Sequence, residues 1–114
     1  MQVKEVYPAT MLRIHFGESD KWNGKPLQEA LIAKCQELGI SGAIVFRGIE
    51  GYGASARIHH GSTLSFSRDA PMMMSIIDTD ENLAVLMPHL DVMVQEGLIA
   101  ISKVEAIRYS KNVA

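Results

Sequence analysis

Two stretches of this chain repeat apolar residues at helical spacing, and each is flanked on both sides by stretches built like strands. That order limits the fold more than any other feature. In the first helical stretch Leu27, Leu31, Cys35 and Leu38 recur at spacings of 4, 4 and 3, which is one face of a helix. Pro26 suits a first turn, where its missing N–H costs nothing. Gly39 is a natural left-handed stop, so a helix is predicted over residues 26–38. In the second stretch Leu83, Met87, Leu90 and Val94 recur at 4, 3 and 4, and Gly97 ends the pattern. Asp78 with Glu81 resembles a capping box, Asp standing in for Ser or Thr. Pro88 sits inside and should kink the helix or displace a hydrogen bond.

Residues 10–16 read as a strand, because Leu12, Ile14 and Phe16 alternate with Arg13 and His15. The first ten residues read as a loose lead-in that ends near Pro8. Residues 17–24 form a polar turn. Residues 40–48 make a second strand, with Ile44 and Phe46 pointing one way and Ala43 and Val45 the other. Pro71 precedes a third strand over residues 72–79, apolar on both faces, and residues 98–109 make the last. The order β-α-β, long loop, β-α-β is the ferredoxin-like split arrangement, an α+β fold in one domain spanning residues 1–114. Its crossovers put both helices on one face of a four-stranded antiparallel sheet. Ala43, Val45 and the methionine-rich third strand leave apolar residues on both faces, and the helices cover one. The other face is expected to be buried by identical subunits; the alternative is a monomer with a modestly apolar surface.

Charge narrows the partners. Eleven Lys and Arg stand against thirteen Asp and Glu, for a formal charge of −2. Such a chain has no global field for a polyphosphate backbone, so nucleic acid is not an expected partner. One cysteine cannot make an internal disulfide, which points to a reducing compartment. Lys4 and Glu5 precede any apolar run, unlike a signal peptide, and no apolar stretch nears the roughly 20 residues of a membrane span. A cytoplasmic protein without membrane insertion is expected.

Residues 48–70 form the most informative stretch. They hold Gly48, Gly51, Gly53 and Gly61, with Arg47, Arg57, His59, His60 and Arg68 in or beside them. A connection this long is uncommon in a small domain. Glycines let backbone N–H groups line a concavity for an anion, and Arg47 or Arg57 can add charge-assisted bonds to phosphate. On composition alone the stretch reads equally as a hairpin whose arginines are solvated. Its glycines follow G-x-x-G-x-G, not the dinucleotide fingerprint, and no helix follows directly. Asn23-Gly24-Lys25-Pro26 fails as a phosphate loop, since Ser19 and Pro26 stand where glycine and a magnesium-holding hydroxyl belong. Trp22 is expected to pack this turn onto the body.

His15, His59, His60 and His89 show no chelating spacing. Cys35 reads as an inert core thiol, and Met72-Met73-Met74 as sheet packing. Glu18, Asp20 and Glu50 are carboxylates in glycine-containing loops, but no catalytic group assembles from local spacing, so a non-enzyme is expected. Arg108 and Lys111 bring positive charge to the end of the last strand, where they can face a neighbouring subunit.

Four blocks then combine. Gly17-Glu18-Ser19-Asp20-Lys21, Gly24-Lys25-Pro26-Leu27, Gly42-Ala43 with residues 47–53 (RGIEGYG), and Val104-Glu105 with Ile107-Arg108-Tyr109 together resemble the small PII-like proteins long classed as a domain of unknown function. The likeness covers about residues 11–109. It implies a ferredoxin-like trimer whose residues 48–70 correspond to the PII T-loop. It implies an adenine nucleotide effector at clefts between subunits, with Arg47, Gly48, Glu50, Gly51, Gly53, Arg57, Arg108 and Lys111 as the binding residues. Arg108 matches a phosphate-contacting position of PII proteins. Signalling would run through the loop to a protein partner. Genes of the family often accompany a fluoride-exporter type of membrane protein, so that partner is expected to be a transporter. The glycine-rich segment that PII proteins place before the last strand is missing here, with Gly97 alone, so a mono- or dinucleotide or another small anion fits as well as a triphosphate. Two other classes remain: a metal-binding trimer resembling CutA-type proteins, through His15, His59 or His60, and an enzyme on a small phosphorylated substrate, through Glu50 or Arg57.

Overall fold

The computed structural model of the chain describes residues 2–49 and 69–111. Its elements run β1 (Gln2–Gly17), β2 (Lys21–Trp22), β3 (Lys25–Pro26), α1 (Leu27–Glu37), β4 (Ala43–Arg47), β5 (Pro71–Asp78), α2 (Asp80–Met93) and β6 (Leu98–Lys111). The main sheet has the order β4-β5-β1-β6, with each neighbouring pair antiparallel. This is the expected ferredoxin-like α+β fold.

Alternation along the strands sets the two faces. Leu12, Ile14 and Phe16 of β1 and Met72, Met74 and Ile76 of β5 point to the helix side and are buried. They meet Leu27, Leu31 and Cys35 of α1 and Leu83, Leu86, Leu90 and Met93 of α2 in one core. Burial pushes the Cys35 thiol up to about 11, as suits an inert core thiol. The methionine run is sheet packing: Met72 and Met74 enter the core while Met73 faces the other way. Ala43 and Val45 also turn toward the helices, so Ile44 and Phe46 lie on the second face. There they stand 61% and 48% exposed, on the same face as Ile77 and Leu98. Among the described residues no element covers that face.

Several boundaries differ from expectation. The supposed lead-in is strand: β1 pairs with β6 continuously from Gln2↔Lys111 to His15↔Leu98. Residues 2–9 have no β5 beside them, so they and the end of β6 form a two-stranded ribbon beyond the sheet. Helix α1 closes with Gly39 N–H donating to Gln36 O (3.2 Å) and Ile40 N–H to Cys35 O (2.9 Å), the double bond of a Schellman end at a positive-φ glycine. Helix α2 stops at Met93, four residues before Gly97, which serves the entry to β6 instead. Its cap is Thr79 rather than Asp78: the Thr79 hydroxyl accepts from Asn82 N–H at 3.3 Å.

Asp78 has a different task. Its buried carboxylate accepts from Ser41 N–H (2.9 Å), Thr79 N–H (2.7 Å) and the Asn82 amide (2.9 Å). It thus ties the approach to β4, the end of β5 and the start of α2. Burial acts to raise this carboxyl, but the hydrogen bonds outweigh it and hold it below its ordinary value. A depressed folded value means the contribution is whole above the ordinary carboxylate range and drains away as pH falls toward the folded value. Stability should therefore drop below about pH 4, and Asp78→Asn should flatten that drop while costing about 1–3 kcal/mol at neutral pH. Urea titrations of both proteins at several pH values check this; parallel acid limbs would refute it.

Candidate functional site

The two stems of the long loop, at Gly48 and Asp69, meet at the end of the sheet where β4, β5 and β1 lie side by side. Gly48 N–H donates to Pro71 O at 2.7 Å, and a Cβ on Gly48 would stand 2.8 Å from Pro71 Cγ and 3.0 Å from Pro71 O. Only glycine brings the strands this close.

The turn that follows β1 grips both stems. The Arg47 guanidinium donates through Nε (3.0 Å) and Nη2 (3.4 Å) to the two carboxylate oxygens of Glu18. Glu18 N–H donates to Ala70 O at 2.8 Å, and the Ser19 hydroxyl to Asp69 Oδ1 at 2.8 Å. The turn itself is fixed by Asp20, whose carboxylate accepts from Gly17 N–H (3.1 Å) and whose carbonyl accepts from Leu27 N–H (2.8 Å) at the start of α1. The Arg47 guanidinium holds the Glu18 carboxyl below its usual range.

Beside this pair runs a groove of about 610 Å³ between α1 and β4. Ile32, Ala33, Val45 and Met72 give it apolar walls, and Glu18, Gln28, Glu29, Gln36 and Arg47 a polar rim. An apolar cleft with a few convergent polar groups is the usual form of a small-molecule site.

Of the sequence-predicted residues, Arg47 and Gly48 fall here. Glu50, Gly51, Gly53 and Arg57 lie outside the described residues. Arg108 and Lys111 lie at the far end of the molecule, on the ribbon. Arg108 opposes Glu5 across β1 and β6, whereas Arg47 is in line with Met72 and Phe16. Eleven residues of β1 separate those levels, about 36 Å at the strand rise. The Arg108 guanidinium stands 5.3 Å from the Tyr7 ring centroid and donates to the Tyr7 hydroxyl at 3.0 Å. Sequence reasoning passed over Glu18 as the partner of Arg47 and over Asp69. The signal was the carboxylate of the GESD turn, which reads as mere turn chemistry until the fold brings β4 beside it.

His15 lies on the uncovered sheet face, in line with Met73 and Leu98, and His59 and His60 are outside the described residues. Among the described residues no three His, Cys, Asp or Glu side chains gather as a metal site. No helix among them is long and apolar enough to cross a membrane. Trp22 packs partly buried against the core, as expected of it.

Known proteins match the chain along most of its length. The family model described as DUF190, Uncharacterized ACR, COG1993, matches residues 9–106. A UPF0166 protein of Aquifex aeolicus is 32% identical over 97 residues, 85% of this chain and 91% of its own. Another, from Methanocaldococcus jannaschii, is 32% identical over 95 residues, 82% of this chain and 87% of its own. In structure the chain is similar to CPII of Thiomonas intermedia K12 bound to ADP and bicarbonate, with a TM-score of 0.67 at 16% identity, covering 90% of this chain and 91% of that one. At that identity the likeness is one of fold. The chain belongs to the DUF190 family and carries the PII-like fold.

Proposed function

We propose that this protein is a PII-like cytoplasmic regulator that binds a small anionic effector, an adenine nucleotide first among them, in clefts between the subunits of a homotrimer. It is read as a sensor and not as a catalyst. The observation that carries the reading is the fold shared with CPII, a protein solved with ADP and bicarbonate bound. Two features of this chain support it. Cations stand at both ends of β1, so a cleft lined by Arg47, Gly48, Arg108 and Lys111 needs one end from each of two copies. The uncovered face with Ile44, Phe46, Ile77 and Leu98 supplies an apolar surface for those copies to share.

In this reading Glu50, Gly51, Gly53 and Arg57 join the binding residues, and effector occupancy changes affinity for a protein partner, a membrane transporter. By linkage the partner strengthens effector binding by the same factor. Calorimetry with AMP, ADP, ATP and cyclic nucleotides tests the effector. Saturable binding by at least one is expected, and silence from all of them at millimolar concentration would end the proposal.

A further inference from the structure

The turn after β1 is unusual in what it holds. Glu18 offers its side chain to one stem of the loop and its backbone N–H to the other, at Arg47 and Ala70. Ser19 adds a bond to Asp69, and Asp20 anchors the same turn to the start of α1. Three consecutive residues, Glu18, Ser19 and Asp20, thus join both loop stems to each other and to the start of α1.

The Glu18 carboxylate also has the chemistry of a ligand. It presents two oxygens to Nε and Nη2 of Arg47, the planar fork that a phosphate or a bicarbonate would use. The pair lies at the rim of the groove, with side chains 37% and 30% exposed, so it can be reached from solvent. An anion arriving at Arg47 meets a seat already taken.

We infer that Glu18 is an internal stand-in for the effector: it occupies the Arg47 guanidinium in the free protein, and an anion with two coplanar oxygens displaces it. This rests on the effector reading above and adds how that site is regulated. Displacement frees the side chain that locks the β4 stem, while the backbone bond to Ala70 keeps the turn on the β5 stem. The stems are thereby uncoupled at one point, and effector occupancy becomes a change at the base of the loop.

The test compares ADP binding to the wild-type protein, Glu18→Gln and Glu18→Asp by calorimetry. The glutamine keeps the shape and loses the charge. The aspartate keeps the charge and is too short to hold the fork. Removing a half-exposed ion pair that competes with ligand should tighten binding about three- to fivefold. Both variants should show it, because contact and not charge alone is what the effector must break. Nitrogen NMR of the Arg47 Nε–H supplies a readout that a merely structural role would not move. In the wild type its resonance should shift on ADP addition, and the Glu18 carboxyl should titrate at a higher pH in the complex than in the free protein. Tightening in Glu18→Gln with none in Glu18→Asp would reduce Glu18 to simple charge repulsion and overturn the inference. ADP binding with equal affinity in all three proteins, and an unmoved Arg47 signal, would overturn it while leaving the effector reading intact. Absence of nucleotide binding in every protein would sink both.

Discussion

In the proposed trimer, subunits carrying Arg47→Ala and subunits carrying Arg108→Ala, each weakened for ADP on its own, should recover about a quarter of the wild-type sites when dissociated together and reassembled at random. The expectation follows from the strand that joins them. Arg47 and Arg108 stand about 36 Å apart in one chain, at opposite ends of β1. No nucleotide reaches both, so a cleft that uses both takes Arg47 from one copy and Arg108 from the next. In the proposed cleft, truncating either would remove charge-assisted hydrogen bonds to the effector, a loss of about 10- to 100-fold in affinity. A mixed ring rebuilds a site wherever an Arg108→Ala copy, with Arg47 intact, abuts an Arg47→Ala copy, with Arg108 intact. The stoichiometry read by calorimetry reports this directly. Because Arg108 also stacks on Tyr7, thermal unfolding of Arg108→Ala should accompany the measurement. Zero recovery in the mixture, or undiminished binding in Arg108→Ala alone, would place the site within a single chain.

The largest effect on stability is expected at Gly97. It has φ +141, a region that L side chains rarely adopt. A Cβ there would stand 2.0 Å from the carbonyl oxygen of His15 and 3.2 Å from its carbon. These are backbone atoms of β1, held on one side by β5 through His15↔Met73 and on the other by β6 through His15↔Leu98. Neither side can give without breaking register. Gly97→Ala should therefore cost about 3 kcal/mol or more, strain and overpacking together, read as a lowered urea midpoint. Gly24→Ala makes the control. Gly24 also has positive φ (+79), but its Cβ would meet nothing within 4 Å, so the cost should be about 1 kcal/mol. A Gly97→Ala protein within 1 kcal/mol of wild type would mean that the strand entry is not as tight as these distances make it.

What the residues reveal before folding depends on burial. The helices and the strand cores were legible because half their side chains must leave water, which writes a period into the sequence at Leu27, Leu31 and Cys35 or at Leu12, Ile14 and Phe16. The ribbon was not legible for the same reason. Residues 2–8 are exposed or half-buried on both faces, so no alternation marks them as strand. Asn23-Gly24 is the strongest short hairpin signal, and both residues do take positive φ, 50° and 79°, between β2 and β3. It was absorbed into a polar turn because strands of two residues leave no pattern. The cap at Thr79 was missed by one position, since Asp78 competes for the same role and its buried network depends on Ser41, 37 residues earlier.

The candidate site divides along similar lines. Arg47 and Gly48 could be picked out from composition at the edge of the long loop. The Glu18 contact could not, because it joins residues 29 apart through a β4 register that only the folded sheet supplies. The distance between Arg47 and Arg108 was equally hidden, for it depends on the full length of β1, half of which carries no signal.

That length has a further consequence. A single unbroken strand runs from the Tyr7–Arg108 stack to the turn that clasps the loop stems. In a closed ring each such rod would abut one cleft with its first residues and another with its last. Filling one cleft would then strain the next around the circle, and ligand uptake by the three would depart from a simple hyperbola.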